Sequence, residues 1–164
     1  MKKLLTLLMI AVFTIGCAST SSTPTVTPGV LDFGDYTSQT ITTAAWNSYN
    51  AGHYEDAIAY AEKCAELYET EARAMQENLR LQGPSRTPPT ADQIHANWAL
   101  NDVGTSYFIK AESLRELGRN DEALAAYKTV MNQFYYAQTW DPKGWFWKPA
   151  EAANPRVAQL SSDF

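Results

Sequence analysis

Cysteine is nearly absent. Cys17 closes an apolar N-terminal run and Cys64 sits in an apolar helical stripe, so no intrachain disulfide framework is expected and stability must come from packing. Positive charge is also in deficit, with 13 Lys and Arg against 18 Asp and Glu. The net charge of −5 becomes −7 if Lys2 and Lys3 leave with a leader. The remaining charges alternate in sign and build no basic face, which argues against nucleic acid as a partner. Histidine is scarcer still. Neither His53 nor His95 has a cysteine or carboxylate at metal-ligand spacing, so no metal site is expected. The chain lacks a Gly-x-Ser-x-Gly elbow, a phosphate-binding glycine loop and a dinucleotide fingerprint, and no cofactor is expected. Asp32-Phe33-Gly34 stands without the other elements a phosphoryl-transfer site needs. Acidic pairs such as Glu66 with Glu69, or Asp121 with Glu122, are ordinary for solvated helix faces. These absences put a binding role ahead of an enzymatic one.

What is present begins with a leader. Residues 1–16 read as a basic start, an apolar stretch from Leu4 to Ile15, then Gly16, too short to remain as a membrane-spanning helix. Thr14-Ile15-Gly16-Cys17 resembles the lipobox of bacterial lipoproteins. That resemblance implies lipidation of Cys17 and a membrane anchor, because buried acyl chains contribute about 0.8 kcal/mol per methylene. The competing reading is ordinary cleavage after Ala18, which releases an unanchored periplasmic protein. Ala18, where the lipoprotein class uses aspartate for inner-membrane retention, implies the outer membrane, with the protein facing the periplasm. Residues 17–36, rich in Ser, Thr and Pro, read as a flexible tether with a reach of about 25 Å. Residues 37–164 are left as one folded domain.

Two segments of that domain superimpose: Asn50 to Leu67 and Glu116 to Phe134. Each has a glycine where a left-handed residue must end a helix, Gly52 and Gly118, followed by an acidic pair in the first turn of the next helix. Local physics predicts helix, tight turn, helix. The pattern Gly-x-Tyr-x-x-Ala, with Ala61 and Cys64 and then Tyr127 and Val130 on the following turns, resembles tetratricopeptide repeats. Tyr107, Ala111 and Leu114 match the packing positions of that family's first helix; Ile41, Ala44, Ala45 and Ser48 match it less well. The resemblance runs from about Gln39 to Phe134 and implies an all-α fold of antiparallel helical hairpins. It also makes Cys64 a small core residue rather than a nucleophile.

The two glycines lie 66 residues apart, nearly two repeat lengths. No breaker interrupts Tyr54 to Leu81, whose stripe of Ala61, Cys64, Ala65, Tyr68, Ala72, Met75 and Leu79 predicts one helix of about 28 residues. Gly83 to Pro89 breaks the chain, and Thr90 with Gln93 forms a capping box for a second helix. Its stripe of Ala96, Leu100, Val103, Tyr107, Ala111 and Leu114 runs to Leu117 through Gly104. Two extended central helices explain this stretch better than a hidden third repeat.

Between Phe134 and Trp147, seven of fourteen residues are aromatic. Asp141-Pro142-Lys143-Gly144 is a turn sequence predicted to bring Trp140 and Trp145 together, and Pro149 opens a short helix to Ala153. Two roles fit this tail: a C-terminal cap over the last apolar face of the stack, or a ligand platform made of Trp140, Trp145 and Trp147.

The family resemblance implies a protein-binding groove lined by each repeat's first helix, with Trp46 and Tyr49 beside Thr42, and Phe108, Glu112 and Arg115 from the second copy. The expected function is therefore that of a membrane-anchored adaptor for a protein partner in the cell envelope. Two repeats make a shallow groove, which self-association into a homo-oligomer would deepen. The alternative is carbohydrate or envelope-polymer binding through the tryptophans of the tail, and a third reading is a spacer without a specific ligand.

Overall fold

The computed structural model describes residues 30–162; the leader, Cys17 and most of the tether lie outside them. Six helices and one small hairpin follow in order: α1 (Ser38–Asn50), α2 (Tyr54–Gln82), α3 (Ala91–His95), α4 (Trp98–Glu116), α5 (Asn120–Gln133), β1 (Thr139–Asp141), β2 (Trp145–Trp147) and α6 (Pro149–Ser162). The folded body reaches back into the segment that composition places in the tether. Asp32 to Asp35 form a turn in which Gly34 N donates to Asp32 Oδ1 at 2.9 Å, and the Phe33 ring packs 5.4 Å from that of Tyr60.

Both helix-turn-helix corners close in the same way. Gly52 and Gly118 have φ of +78° and +74°, and the amide after each reaches five residues back: His53 N to Ser48 O, Arg119 N to Leu114 O, both 2.9 Å. This geometry satisfies carbonyls that a helix end leaves open, and glycine is the residue that reaches positive φ without a steric penalty. Helices α1 with α2 and α4 with α5 are therefore equivalent hairpins. They stack through α2 and α1 against α4, and α6 covers α5.

Helix α2 runs 29 residues, as its uninterrupted stripe predicts. Ala61, Cys64 and Ala72 are buried along it, with Tyr68, Met75 and Leu79 packed at its margin. The Cys64 thiol is buried beside Thr42, and desolvation raises its pKa, which suits core packing and not nucleophilic chemistry.

The second central helix departs from expectation. The capping box forms, Thr90 N donating to Gln93 Oε1 at 2.9 Å and Gln93 N donating to Thr90 Oγ1 at 3.3 Å, but the helix stops at His95. Asn97 leaves helical geometry at φ −96°, ψ 39°. Its side-chain amide donates to Gln93 O, and that of Asn101 to Ile94 O, so side chains take the carbonyls a continuous helix would use. The break changes the phase of the apolar stripe: Ile94 is buried and Ala96 is exposed. Farther along α4, Gly104 is buried where the chain after α5 crosses, and a Cβ there would lie 2.5 Å from Ala137 Cβ.

The C-terminal helix also exceeds its expected end at Ala153, continuing through Pro155 to Ser162. Pro155 forfeits one backbone hydrogen bond. Burial of Ala150, Ala153 and Leu160 against the α4–α5 core offsets that loss.

Candidate functional site

The tail lies over the inner face of the stack instead of leaving it open. In the β1–β2 hairpin Trp140 pairs with Phe146, and Asp141 with Trp145. Because side chains alternate across a strand, Trp140 and Trp145 fall on opposite faces. The expected Trp140–Trp145 pair is replaced by Trp140 with Phe146, ring centroids 4.9 Å apart. Trp145 is exposed beside Lys143, and Trp147 packs 6.4 Å from Trp46 and 5.3 Å from Phe108. The three tryptophans therefore make no common platform. Trp147 is a cap residue, whereas Trp140 turns to a cavity.

The same packing corrects the expected groove. Phe108 and Glu112 are buried, under Trp147 and α6. Glu112 accepts hydrogen bonds from Tyr127 Oη at 2.5 Å, Arg156 Nε at 2.9 Å and an Arg115 guanidinium nitrogen at 3.0 Å. Burial alone would raise its pKa; these three donors outweigh that and hold it below the usual glutamate value. Arg115 is shared between Glu112 and Glu116. Tyr49 is half-buried between Trp46 and Tyr54, their ring centroids 5.9 and 5.7 Å away. Of the six groove residues, Thr42 and Trp46 line a cavity.

That cavity, of about 530 Å³, lies between α1, the α3–α4 junction and the hairpin. Ser38, Thr42 and Trp46 form one wall; Asn101, Asp102 and Thr105 form the second; Trp140 and Phe146 form the third. Tyr68, Trp98 and His95 complete the lining. The α3–α4 break builds much of it, since it sets His95 5.3 Å from the Phe146 ring and Trp98 5.5 Å from Tyr68. The hairpin is pinned to α4 by Gln138 N donating to Asn101 Oδ1 at 2.9 Å and by the Thr105–Thr139 hydroxyl pair.

Several polar groups of the lining are already engaged within the protein. Asn101 uses both ends of its amide, the Thr42 hydroxyl meets Ser106 at 3.0 Å, and Tyr68 Oη donates to Tyr36 O at 2.6 Å. Asp102 differs in being a carboxylate with a hydroxyl as its side-chain partner. Ser38 Oγ donates to its Oδ2 at 2.5 Å, and no cation pairs with it among the described residues. Desolvation raises its pKa, with the Ser38 hydrogen bond opposing. At the rim, Trp98 is 45% and Trp140 51% exposed. Among the described residues no three His, Cys, Asp or Glu side chains come together as a metal site.

Asp102, Trp98, His95 and Tyr68 did not figure among the expected site residues. The usable signal was Trp98-Asp102-Thr105, spaced four and three along α4, which puts a large ring and a carboxylate on one face beside the apolar stripe.

A search of curated proteins and of solved structures returns no match. A family model described as tetratricopeptide repeat matches residues 104–132, the greater part of α4 and nearly all of α5. The α4–α5 hairpin is a tetratricopeptide repeat, and the chain has an all-α, tetratricopeptide-like fold.

Proposed function

We propose that this chain is a non-enzymatic adaptor which docks a protein partner at the cavity between α1, α4 and the hairpin. The single observation that carries this reading is the rim: two tryptophans, Trp98 and Trp140, stand about half exposed around a concave site. Tryptophans at a concave centre are the commonest anchors of protein recognition. The repeat in α4–α5 belongs to a class of interaction scaffolds, which supports the same role. The leader and Cys17 support the further reading that the adaptor is held at the outer membrane by a lipid anchor, facing the periplasm and serving an envelope assembly.

Carbohydrate binding is the weaker reading. Trp140 beside amides and hydroxyls favours it, but those groups already bond to one another, and Trp145 and Trp147 lie outside the cavity.

Site-directed photocrosslinking in cells tests the adaptor role. A photoreactive phenylalanine in place of Trp98 or Trp140 should give one discrete protein adduct, and the same group at exposed Lys128 should not. Adducts of equal yield at all three positions, or none at Trp98 and Trp140, overturn the reading.

A further inference from the structure

Many acidic side chains of the helical body are matched by a cation, and the most buried glutamate, Glu112, is among them. Glu62 meets Lys110, Glu69 meets Arg73, and Glu112 sits between two arginines. Asp102 is half-buried, lines the cavity and has only a hydroxyl for company. A carboxylate removed from water without a counter-charge is held at a cost to folding. Such a group is kept where something outside the fold completes it.

The rest of the lining says what that is. No lysine or arginine lines the cavity, and His95 is the one other side chain there that can carry charge near neutral pH. Trp46, Tyr68, Trp98, Trp140 and Phe146 line the same cavity as the carboxylate, and aromatic faces attract cations while their area covers methylene groups. The net charge of −5 draws basic partners in the same sense. About 530 Å³ is ample for one long side chain and too little for a helix.

Resting on the docking role proposed above, we propose that the cavity receives one basic side chain, lysine or arginine, of the protein partner. The cationic head meets the Asp102 carboxylate and the stem lies along the aromatic wall. A partner helix lying across the inner face is not required, since Trp147 and α6 already cover Phe108 and Glu112.

The test uses the full chain and small probes: the acetylated methylamides of lysine, arginine and norleucine, with N-acetylglucosamine as a fourth. Binding is read from the indole N–H signals of Trp98 and Trp140. The lysine or arginine probe should saturate these shifts at least tenfold more tightly than neutral norleucine, a factor in line with one charge-assisted contact. Asp102→Asn, which keeps the shape and can still accept from Ser38, should erase that advantage and leave norleucine unchanged. Equal binding of norleucine, preference for the sugar, no shift with any probe, or an unaffected Asp102→Asn protein each overturns the proposal. The docking role stands or falls separately: if Asp102→Asn protein keeps the Trp98 and Trp140 crosslinks at wild-type yield, the partner docks there without a buried cation.

Discussion

Replacing Gly104 with alanine should destabilise the protein, although alanine is the better helix former. In a free helix the exchange gains about 1 kcal/mol. Here the new methyl would lie 2.5 Å from Ala137 Cβ and 3.4 Å from Phe134 Cβ, where carbon atoms are comfortable at about 3.5–4.0 Å. Roughly 1 Å must be found, and Ala137 has no side-chain torsion to turn. Overpacking of this kind costs about 1–3 kcal/mol; with rigid neighbours the upper end applies, leaving a net loss of about 2 kcal/mol. Thermal unfolding should then come about 5–10 °C earlier. Ala137 also precedes the two contacts that pin the hairpin, Gln138 to Asn101 and Thr139 to Thr105, so the indole signal of Trp140 should move as well. Ala137→Gly alone removes a buried methyl and lowers Tm, but in the Gly104→Ala background it should recover part of the loss. A rise in Tm for Gly104→Ala, or an Ala137→Gly effect that simply adds, would refute the packing argument.

Glu112→Ala should cost about 3 kcal/mol, because it takes the acceptor from the buried Tyr127 hydroxyl and from Arg156 and leaves Arg115 with Glu116 alone, and Arg156→Ala about 1 kcal/mol, its side chain being 42% exposed. Since Glu112 is held below the usual 4.5, its contribution is complete above that pH and is lost as pH falls through the lower folded value; the wild-type and Glu112→Gln unfolding curves should converge in acid. Asp102 has the opposite sign: its pKa is raised above 3.8, so the folded chain keeps a proton that the unfolded chain releases, and stability declines as pH rises through that window. Asp102→Asn should therefore unfold at a higher temperature than wild type at neutral pH, with the gain vanishing in acid, as denaturation at a series of pH values would reveal. Cys17→Ala should move the protein from the membrane to the soluble fraction, and unchanged sedimentation would count against the lipid anchor.

Local signals were the ones the sequence displayed well. The corners at Gly52 and Gly118, the capping box at Thr90 and the long α2 all depend on residues within a turn or two of one another. The α3–α4 break was harder to read because Asn97 and Asn101 act through side chains that compete for backbone carbonyls, and neither residue is unusual in a helix. Asn154-Pro155 reads as a stop, yet α6 passes through it since tertiary burial of Leu160 outweighs one missing hydrogen bond. The cavity draws on segments up to about a hundred residues apart, from Ser38 to Phe146, and no periodicity links them. The groove positions on α4 were readable as a face; that the chain's own tail would occupy that face was not.

The hairpin comes late in the chain, and this orders events during synthesis. Helices α1 to α5 can pack as soon as they emerge, whereas the wall holding Trp140 and Phe146 follows them, and its neighbour α6 is clamped only when Arg156 reaches Glu112. A nascent or C-terminally clipped chain would own both helical hairpins and no binding site. If the partner docks there as proposed, competence to bind reports that translation has run past the tail, and truncated copies are inert bystanders and not competitors.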